Sequence, residues 1–255
     1  MDKEGSIEYL SPEERGRLIS SRVDEILDIL RRAALNEFPE DQRWDTALPL
    51  ISVILASTES YEGQRFNFGS FNELLNSKPL KGKDCVEMGF GLPQEAHLLV
   101  LPKFGARVWG IEPDNEAVRR IKGWIFEEEN LDDGGQPLLL SDNIKTGEAG
   151  NLADIFPGKR FDILLSSRVL EEYPMSGAGS IESGIKKAKQ FLSKTFSELN
   201  DGGLSIHTTT QDFLIDDRAS LGEMGYEVPV LNNRFSNDGG GDVYYYTVLK
   251  KIKSG

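Results

Sequence analysis

Short apolar runs alternate with longer stretches of helical hydrophobic spacing from residue 84 onward. Apolar runs of strand length lie near residues 84–88, 107–111, 137–141, 161–166 and 203–209. Stretches with the period of a helix lie between them, near 93–101, 114–129, 147–155 and 181–199. Strands that alternate with helices are typical of a parallel sheet covered on both faces. The pattern therefore predicts an α/β fold with a doubly wound, mostly parallel sheet.

Two further strand patterns, near 225–230 and 242–250, close the chain. The segment between them is short and rich in glycine. A parallel crossover needs a dozen or more structured residues, so this pair is predicted to be antiparallel. With these two strands we predict a seven-stranded sheet that ends in an antiparallel hairpin.

The first 78 residues carry helix patterns and no strand pattern. Ser11-Pro12-Glu13-Glu14 predicts a helix start, with serine as N-cap, proline at N1 and Glu14 completing a capping box. An apolar stripe at helical spacing follows, formed by Leu18, Ile19, Val23, Ile26, Leu27 and Leu30. Further helices are predicted near 44–57 and 70–75. We expect residues 1–78 to be a helical extension whose stripe packs against the main domain, residues 79–255.

Composition limits the partners and the cellular setting. The chain has 29 Lys and Arg against 42 Asp and Glu, a net charge of −13. Nucleic acid binding needs a positive surface that releases counterions, so we expect nucleic acid not to be the partner. The single cysteine, Cys85, lies in the first predicted strand and excludes a disulfide within the monomer. With no apolar stretch of the roughly 18 residues that a membrane span needs, and an acidic start unlike a signal peptide, we expect a cytoplasmic protein.

Candidate chemistry concentrates after the first predicted strand. The strand runs through Glu87 into Gly89 and Gly91, and the second predicted strand ends at Glu112, 23 residues after Gly89. Glycine allows a sharp turn and a close approach of backbone to ligand, and an acid at this spacing suits ribose hydroxyls. This arrangement predicts a nucleotide pocket, for either a nicotinamide dinucleotide or S-adenosylmethionine (SAM).

Glu87 favours SAM. A dinucleotide places its pyrophosphate over the glycine turn, where a nearby carboxylate would repel it, whereas SAM brings an ammonium and a sulfonium group. The third glycine of the dinucleotide motif is also missing, because Gln94 stands there.

The acid-x-Gly-x-Gly segment from Glu87 to Gly91 resembles motif I of class I SAM-dependent methyltransferases. Ser141-Asp142-Asn143 is similar to the acidic turn after the third strand of that family, and Phe161 to Pro174 to its fourth strand and following loop. The resemblance covers roughly residues 79–255, and it implies a set of cofactor contacts. These are Glu87, Gly89 and Gly91 for the methionine portion, Glu112 for the ribose, and Asp142 and Asn143 for the adenine. Ser166 is a further candidate by its position, because ligands of an open α/β sheet bind at the carboxyl ends of the strands.

The acceptor side is less defined by the sequence. Methyl transfer is an in-line displacement in which alignment can supply much of the acceleration, so a general base is not obligatory. His207, late in the fifth predicted strand, could accept a proton from the acceptor or could be structural. By the resemblance, Glu171 and Glu172 lie in the loop that faces substrate, and the N-terminal helices form a lid and substrate wall. His97 is predicted to be structural.

The sequence thus predicts a SAM-dependent methyltransferase acting on an oxygen or nitrogen of a small molecule, without a metal site. Three alternatives remain: an NAD(P)-dependent oxidoreductase, a non-catalytic binding protein with the methyltransferase fold, and transfer of another group from the same cofactor type. The last is disfavoured, because the paired Asp-Asp signature of polyamine synthases does not follow the fourth strand.

Overall fold

One seven-stranded sheet organises the protein. The computed structural model describes residues 11–34, 49–50, 52–54, 76–91, 97–125, 130–167, 169, 180–209, 218–236 and 243–252. Its strands are β1 (Asp84–Met88), β2 (Arg107–Glu112), β3 (Leu139–Thr146), β4 (Phe161–Ser167), β5 (Leu199–Thr209), β6 (Tyr226–Ser236) and β7 (Val243–Lys251). Its α-helices include α1 (Pro12–Ala34), α2 (Asn115–Lys122), α3 (Leu152–Ile155), α4 (Ile181–Glu198) and α5 (Arg218–Glu223).

The strand order is β3-β2-β1-β4-β5-β7-β6. The first five strands pair in parallel, whereas β7 is antiparallel to both β5 and β6. This confirms the predicted doubly wound, mostly parallel sheet with a C-terminal antiparallel hairpin. The order reverses between β1 and β4, and such a reversal is where open α/β sheets bind their ligands.

The sheet separates two apolar cores. On one face, Cys85 and Ile206 pack with side chains of α2, of the 3₁₀ turns that follow β1, and with Leu50, Val53 and Ile54. On the opposite face, Met88 and Leu164 pack with side chains of α3, α4 and α5. Side chains alternate between the two faces along each strand. Because both faces are covered, the strand ends are the parts of the sheet that a ligand can reach.

The predicted capping box at the start of α1 is confirmed. The Glu14 carboxylate accepts from the Ser11 N–H at 2.8 Å and from the Ser11 hydroxyl at 2.7 Å, and the Glu14 N–H donates to that hydroxyl at 3.2 Å. These bonds occupy backbone donors that a helix start leaves without intrahelical partners.

Some apolar side chains of the N-terminal segment belong to the core of the sheet. Leu50, Val53 and Ile54 are buried in the same cluster as β1 and β5, and Leu27 of α1 packs against it. Leu18 is 42% exposed, so it takes no part in this packing. The predicted helix at 70–75 lies outside the described residues, and the lid role remains a prediction.

Strand β3 differs from its prediction. It starts two residues later and ends five residues later than the predicted 137–141, so Asp142 and Asn143 lie inside it. The pairing with β2 shifts register between Val108 and Gly110, and the Asn143 side-chain amide donates to the Val108 carbonyl at 3.3 Å. The predicted turn after the third strand was therefore wrong, because a bulge absorbs the polar residues without ending the strand.

Two predicted helices differ from the structure within the described residues. The helix predicted near 114–129 ends at Lys122, where the Gly123 N–H caps the Arg120 carbonyl. At the end of the predicted helix 93–101, the structure has two 3₁₀ turns, His97–Leu99 and Leu101–Phe104. Pro102 lacks the N–H that a continuous α-helix would use at that position.

The end of α4 is stabilised by a distant lysine. Helix α4 ends at Glu198, before Gly202, which has φ +78° and lies within β5. The buried Lys251 ammonium donates to the Phe196 carbonyl at 3.2 Å and to the Leu199 carbonyl at 2.9 Å. A cation at this position also complements the negative end of the helix dipole.

Lys251→Met should destabilise the protein by about 2 kcal/mol, because the carbonyls at the end of α4 lose a charged donor while the apolar stem is kept. Urea denaturation measures the change in the free energy of unfolding. Lys194→Met, at an exposed position of the same helix, is the control and should stay within about 0.5 kcal/mol of the parent. Equal midpoints for the two variants would contradict the capping role of Lys251.

Candidate functional site

The candidate site lies where β1, β2 and β4 end side by side. The parallel register aligns Met88 of β1 with Ile111 of β2 and with Ser166 of β4. The next residues along the chain, Gly89 and Glu112, therefore lie at the carboxyl edge of the sheet, next to the reversal of strand order. Ligands of open α/β sheets bind at this position.

A glycine turn follows β1. Gly89 and Gly91 both have positive φ, +68° and +61°. The Gly89 N–H donates to the Ile111 carbonyl at 2.8 Å, which holds the turn against β2. A Cβ atom on Gly89 would lie 2.6 Å from Cγ2 of Val169, beyond the end of β4. Glycine is therefore required here both by backbone conformation and by close packing.

Glu112 joins the turn to the end of β2. One carboxylate oxygen accepts from the Gly91 N–H at 2.9 Å and the other from the Asp114 N–H at 3.2 Å. A carboxylate has about four acceptor positions, so these two bonds leave capacity for further donors. Paired hydroxyls such as those of a ribose match that capacity.

Glu87 is buried and accepts three hydrogen bonds. Its Oε1 accepts from the His97 ring Nδ1 at 2.6 Å and from the His97 backbone N–H at 3.2 Å, and its Oε2 accepts from the Leu98 N–H at 2.7 Å. The side chain is 1% exposed. These three bonds leave about one acceptor position for the ligand ammonium that the sequence predicted, and that contact stays a prediction. In this arrangement Glu87 holds the chain that follows the glycine turn.

Ser166 and His207 bind each other. The Ser166 hydroxyl is 2.6 Å from Nδ1 of His207, and the Ser205 hydroxyl is 2.8 Å from Nε2. Both Ser166 and His207 are 1% exposed, and burial lowers the pKa of His207 to about 3. The ring also makes an edge contact with Phe191 of α4. With both ring nitrogens engaged and the neutral form favoured, this geometry supports the structural alternative for His207 over a general base.

The carboxyl end of β3 presents other residues than those predicted. Asp142 and Asn143 lie within the strand, away from the edge. Thr146 ends the strand, the Gly147 N–H donates to the Glu112 carbonyl at 3.0 Å, and exposed Glu148 follows. Glu148, directly after Gly147, is the acid in the sequence that marks the end of this strand. It was missed because the predicted strand ended at residue 141, before the polar bulge.

The predicted substrate-loop residues Glu171 and Glu172 lie outside the described residues. Within the part of the chain that the structure describes, no group of three or more His, Cys, Asp or Glu side chains is arranged to hold a metal ion. No helix among those residues is long and apolar enough to cross a membrane.

Comparisons with known proteins bear on the fold. No family model matches the sequence, and a search of curated proteins finds no match. The chain is similar to the solved magnesium protoporphyrin IX methyltransferase of Synechocystis PCC 6803 with bound SAM, at 14% identity over 90% of this chain and 97% of that one, with a TM-score of 0.45. It is also similar to an N-methyltransferase from Bradyrhizobium japonicum, at 9% identity over 78% of this chain and 97% of that one, with a TM-score of 0.44.

A third similar structure is an rRNA methyltransferase from T. thermophilus in complex with AdoMet and guanosine, at 15% identity. The match covers 83% of this chain and 44% of that one, with a TM-score of 0.46. The strand order and the antiparallel β7 confirm the seven-stranded, mostly parallel sheet with a C-terminal antiparallel hairpin that the sequence predicted.

Gly89→Ala should destabilise the protein by more than Gly158→Ala. Both glycines have similar positive φ, +68° and +72°, but a Cβ atom meets Val169 at the first position and nothing within 4 Å at the second. The backbone cost alone is roughly 1–2 kcal/mol, which is the expected loss for Gly158→Ala. Urea denaturation of both variants measures the difference. Adding Val169→Ala should recover part of the stability that Gly89→Ala loses, but none of the stability that Gly158→Ala loses. Equal losses for the two glycine variants would contradict the packing argument.

The free energy of unfolding should fall on acidification because of His207. Its native pKa of about 3 lies below the ordinary value of 6.5, so below pH 6.5 the unfolded chain binds a proton that the native protein does not. The resulting slope reaches about 1.4 kcal/mol per pH unit between those two values and vanishes above the upper one. Urea denaturation of the parent and of His207→Asn at several pH values measures it. Parallel pH profiles would show that His207 is not buried in the neutral form.

Proposed function

We propose that the protein is a SAM-dependent methyltransferase whose cofactor lies across the carboxyl ends of β1, β2 and β3. The observation that carries this proposal is the Glu112 carboxylate, which is bonded to the glycine turn at 2.9 Å and retains acceptor capacity. A ribose held there would place the methionine portion of the cofactor over the glycine turn. It would place the adenine toward the end of β3.

A dinucleotide fits this site less well than SAM. The nucleotide-binding fold of nicotinamide enzymes has the order 3-2-1-4-5-6, whereas this sheet inserts antiparallel β7 between β5 and β6. The glycine turn also follows the buried carboxylate of Glu87. Negative charge at this position disfavours a pyrophosphate and favours a ligand that carries a sulfonium group and an ammonium group.

For the adenine end, the proposal replaces Asp142 and Asn143 with the segment that begins at Gly147. The Gly147 N–H is bonded to the Glu112 carbonyl, so this segment lies directly beside the proposed ribose position. The exposed Glu148 carboxylate can accept from an exocyclic amine, and backbone groups there can bond the ring nitrogens.

The proposed reaction transfers the methyl group to an oxygen or nitrogen of a small molecule. The net charge of −13 disfavours a polyanionic acceptor. His207 is engaged with two serines, so alignment of acceptor and sulfonium, rather than proton removal by this histidine, would supply the acceleration. The loop that contains Glu171 and Glu172, together with the N-terminal helices, remains the proposed acceptor side.

A non-catalytic binding protein is the second candidate. It is favoured by one observation: Glu87, Ser166 and His207 are each already hydrogen-bonded within the protein. Such a protein would bind the cofactor and leave its methyl group in place.

The test is a thermal-shift and calorimetric comparison of S-adenosylhomocysteine with NAD. S-adenosylhomocysteine should raise the melting temperature and NAD should not, because a ligand that binds only the native state stabilises it. Glu112→Ala removes hydrogen bonds to a charged acceptor, each worth roughly 1.5–3 kcal/mol, so affinity for S-adenosylhomocysteine should fall at least about tenfold.

Glu116→Ala is the matched control, since this acid lies on α2 close to Glu112 in sequence and pairs with Arg119 and Arg120. It should bind S-adenosylhomocysteine as the parent does. Stabilisation by NAD alone, or unchanged affinity in Glu112→Ala, would overturn the cofactor assignment. Binding of SAM without methyl transfer from labelled cofactor to any compound of a metabolite extract would favour the binding protein.

A further inference from the structure

We propose that His97 is a positioning residue of the cofactor site, which acts by holding Glu87 and so fixes the glycine turn. The inference rests on the proposed function, because it assigns the turn to the methionine portion of SAM. It changes the role of His97, which the sequence predicted to be structural, and gives Glu87 an indirect role beside the predicted contact with the ligand.

The pair is buried and its geometry defines which atom carries the proton. His97 is 3% exposed and Glu87 is 1% exposed. Nδ1 of His97 lies 2.6 Å from the Glu87 oxygen that also accepts the His97 backbone N–H. Since a carboxylate flanked by N–H donors accepts, Nδ1 is the protonated ring nitrogen. The bond is of the short, charge-assisted kind and is closed off from water.

These contacts tie the end of β1 to the segment that begins at His97. Glu87 precedes Gly89 by two residues, and its carboxylate binds His97 and Leu98 of the 3₁₀ turn His97–Leu99. On the other side, the turn is bonded to β2 through Ile111 and Glu112. The path of the turn is therefore set by one carboxylate on each side. Among the described contacts, the His97 ring donates the shortest of the three bonds to Glu87, so it helps to orient that carboxylate.

Loss of the ring donor should affect ligand binding more than it affects folding. The two backbone donors would remain, so the carboxylate would keep partners, but Oε1 would lose its shortest bond. A less constrained turn must be ordered by the ligand when it binds, and that ordering lowers the affinity. A merely structural histidine would change stability without this effect.

The test compares His97→Asn with His97→Leu. The two replacements have nearly the same shape, but the asparagine amide can place a donor where Nδ1 lies and leucine cannot. We expect His97→Asn to bind S-adenosylhomocysteine within about threefold of the parent, and His97→Leu to bind it at least about tenfold more weakly, which corresponds to losing one charge-assisted bond. Isothermal calorimetry measures both affinities.

Thr195→Val controls for general destabilisation. Thr195 is buried in α4, and its hydroxyl donates to the Leu192 carbonyl at 3.1 Å. This variant should lower the melting temperature and leave the affinity for S-adenosylhomocysteine unchanged. Equal affinities of His97→Asn and His97→Leu would overturn the inference. Failure of the parent protein to bind S-adenosylhomocysteine would instead overturn the proposed function.

A second measurement applies even if His97→Leu does not fold. The chain has two histidines, so the ring nitrogens of the ¹⁵N-labelled parent give a simple NMR spectrum that His97→Asn assigns. We expect S-adenosylhomocysteine to shift the Nδ1 signal of His97, because the ligand lies on the turn that Glu87 holds. An unchanged His97 signal in the saturated complex would overturn the inference.

Discussion

Two hydrogen bonds across the edge of the sheet, from the Gly89 N–H to the Ile111 carbonyl and from the Gly91 N–H to the Glu112 carboxylate, hold the glycine turn against β2. They exist because β1 and β2 are parallel and in register up to their last residues. Gly89 can pass this close to Val169 only without a side chain, because an added Cβ atom would lie 2.6 Å from Cγ2 of Val169. Every feature of the candidate site is built on that alignment.

The two histidines show how the same side chain takes different roles in different surroundings. His207 has hydroxyl groups on both nitrogens, and burial keeps it neutral. His97 has a carboxylate on one nitrogen, so its proton is held at a defined atom. Position in the strand pattern made His207 the more attractive candidate in the sequence. The fold determines the bonded partner of each ring, and the carboxylate bound to His97 makes it the better candidate for a role in the site.

Regular features of the sequence predicted the fold well, and local exceptions were predicted poorly. Strand and helix periodicity located most of the sheet, and the spacing from Gly89 located Glu112 at its edge. The bulge in β3 could not be read from its polar residues, because the same residues also favour a turn. Likewise Lys251 acts on carbonyls more than 50 residues away, which no local pattern reveals. The Glu87 and His97 pair depends on a 3₁₀ turn where an α-helix was expected.

The insertion of β7 between β5 and β6 has a consequence for synthesis of the chain. In the sheet order β6 has only β7 as a neighbour, so β6 cannot join the sheet before the later strand arrives. Until then β5 presents an unpaired edge, which is a site for pairing with other chains. As the chain emerges from the ribosome, the first five strands can assemble early. The last nine residues of the sheet, Val243–Lys251, then close β5, place β6 and supply the ammonium that ends α4.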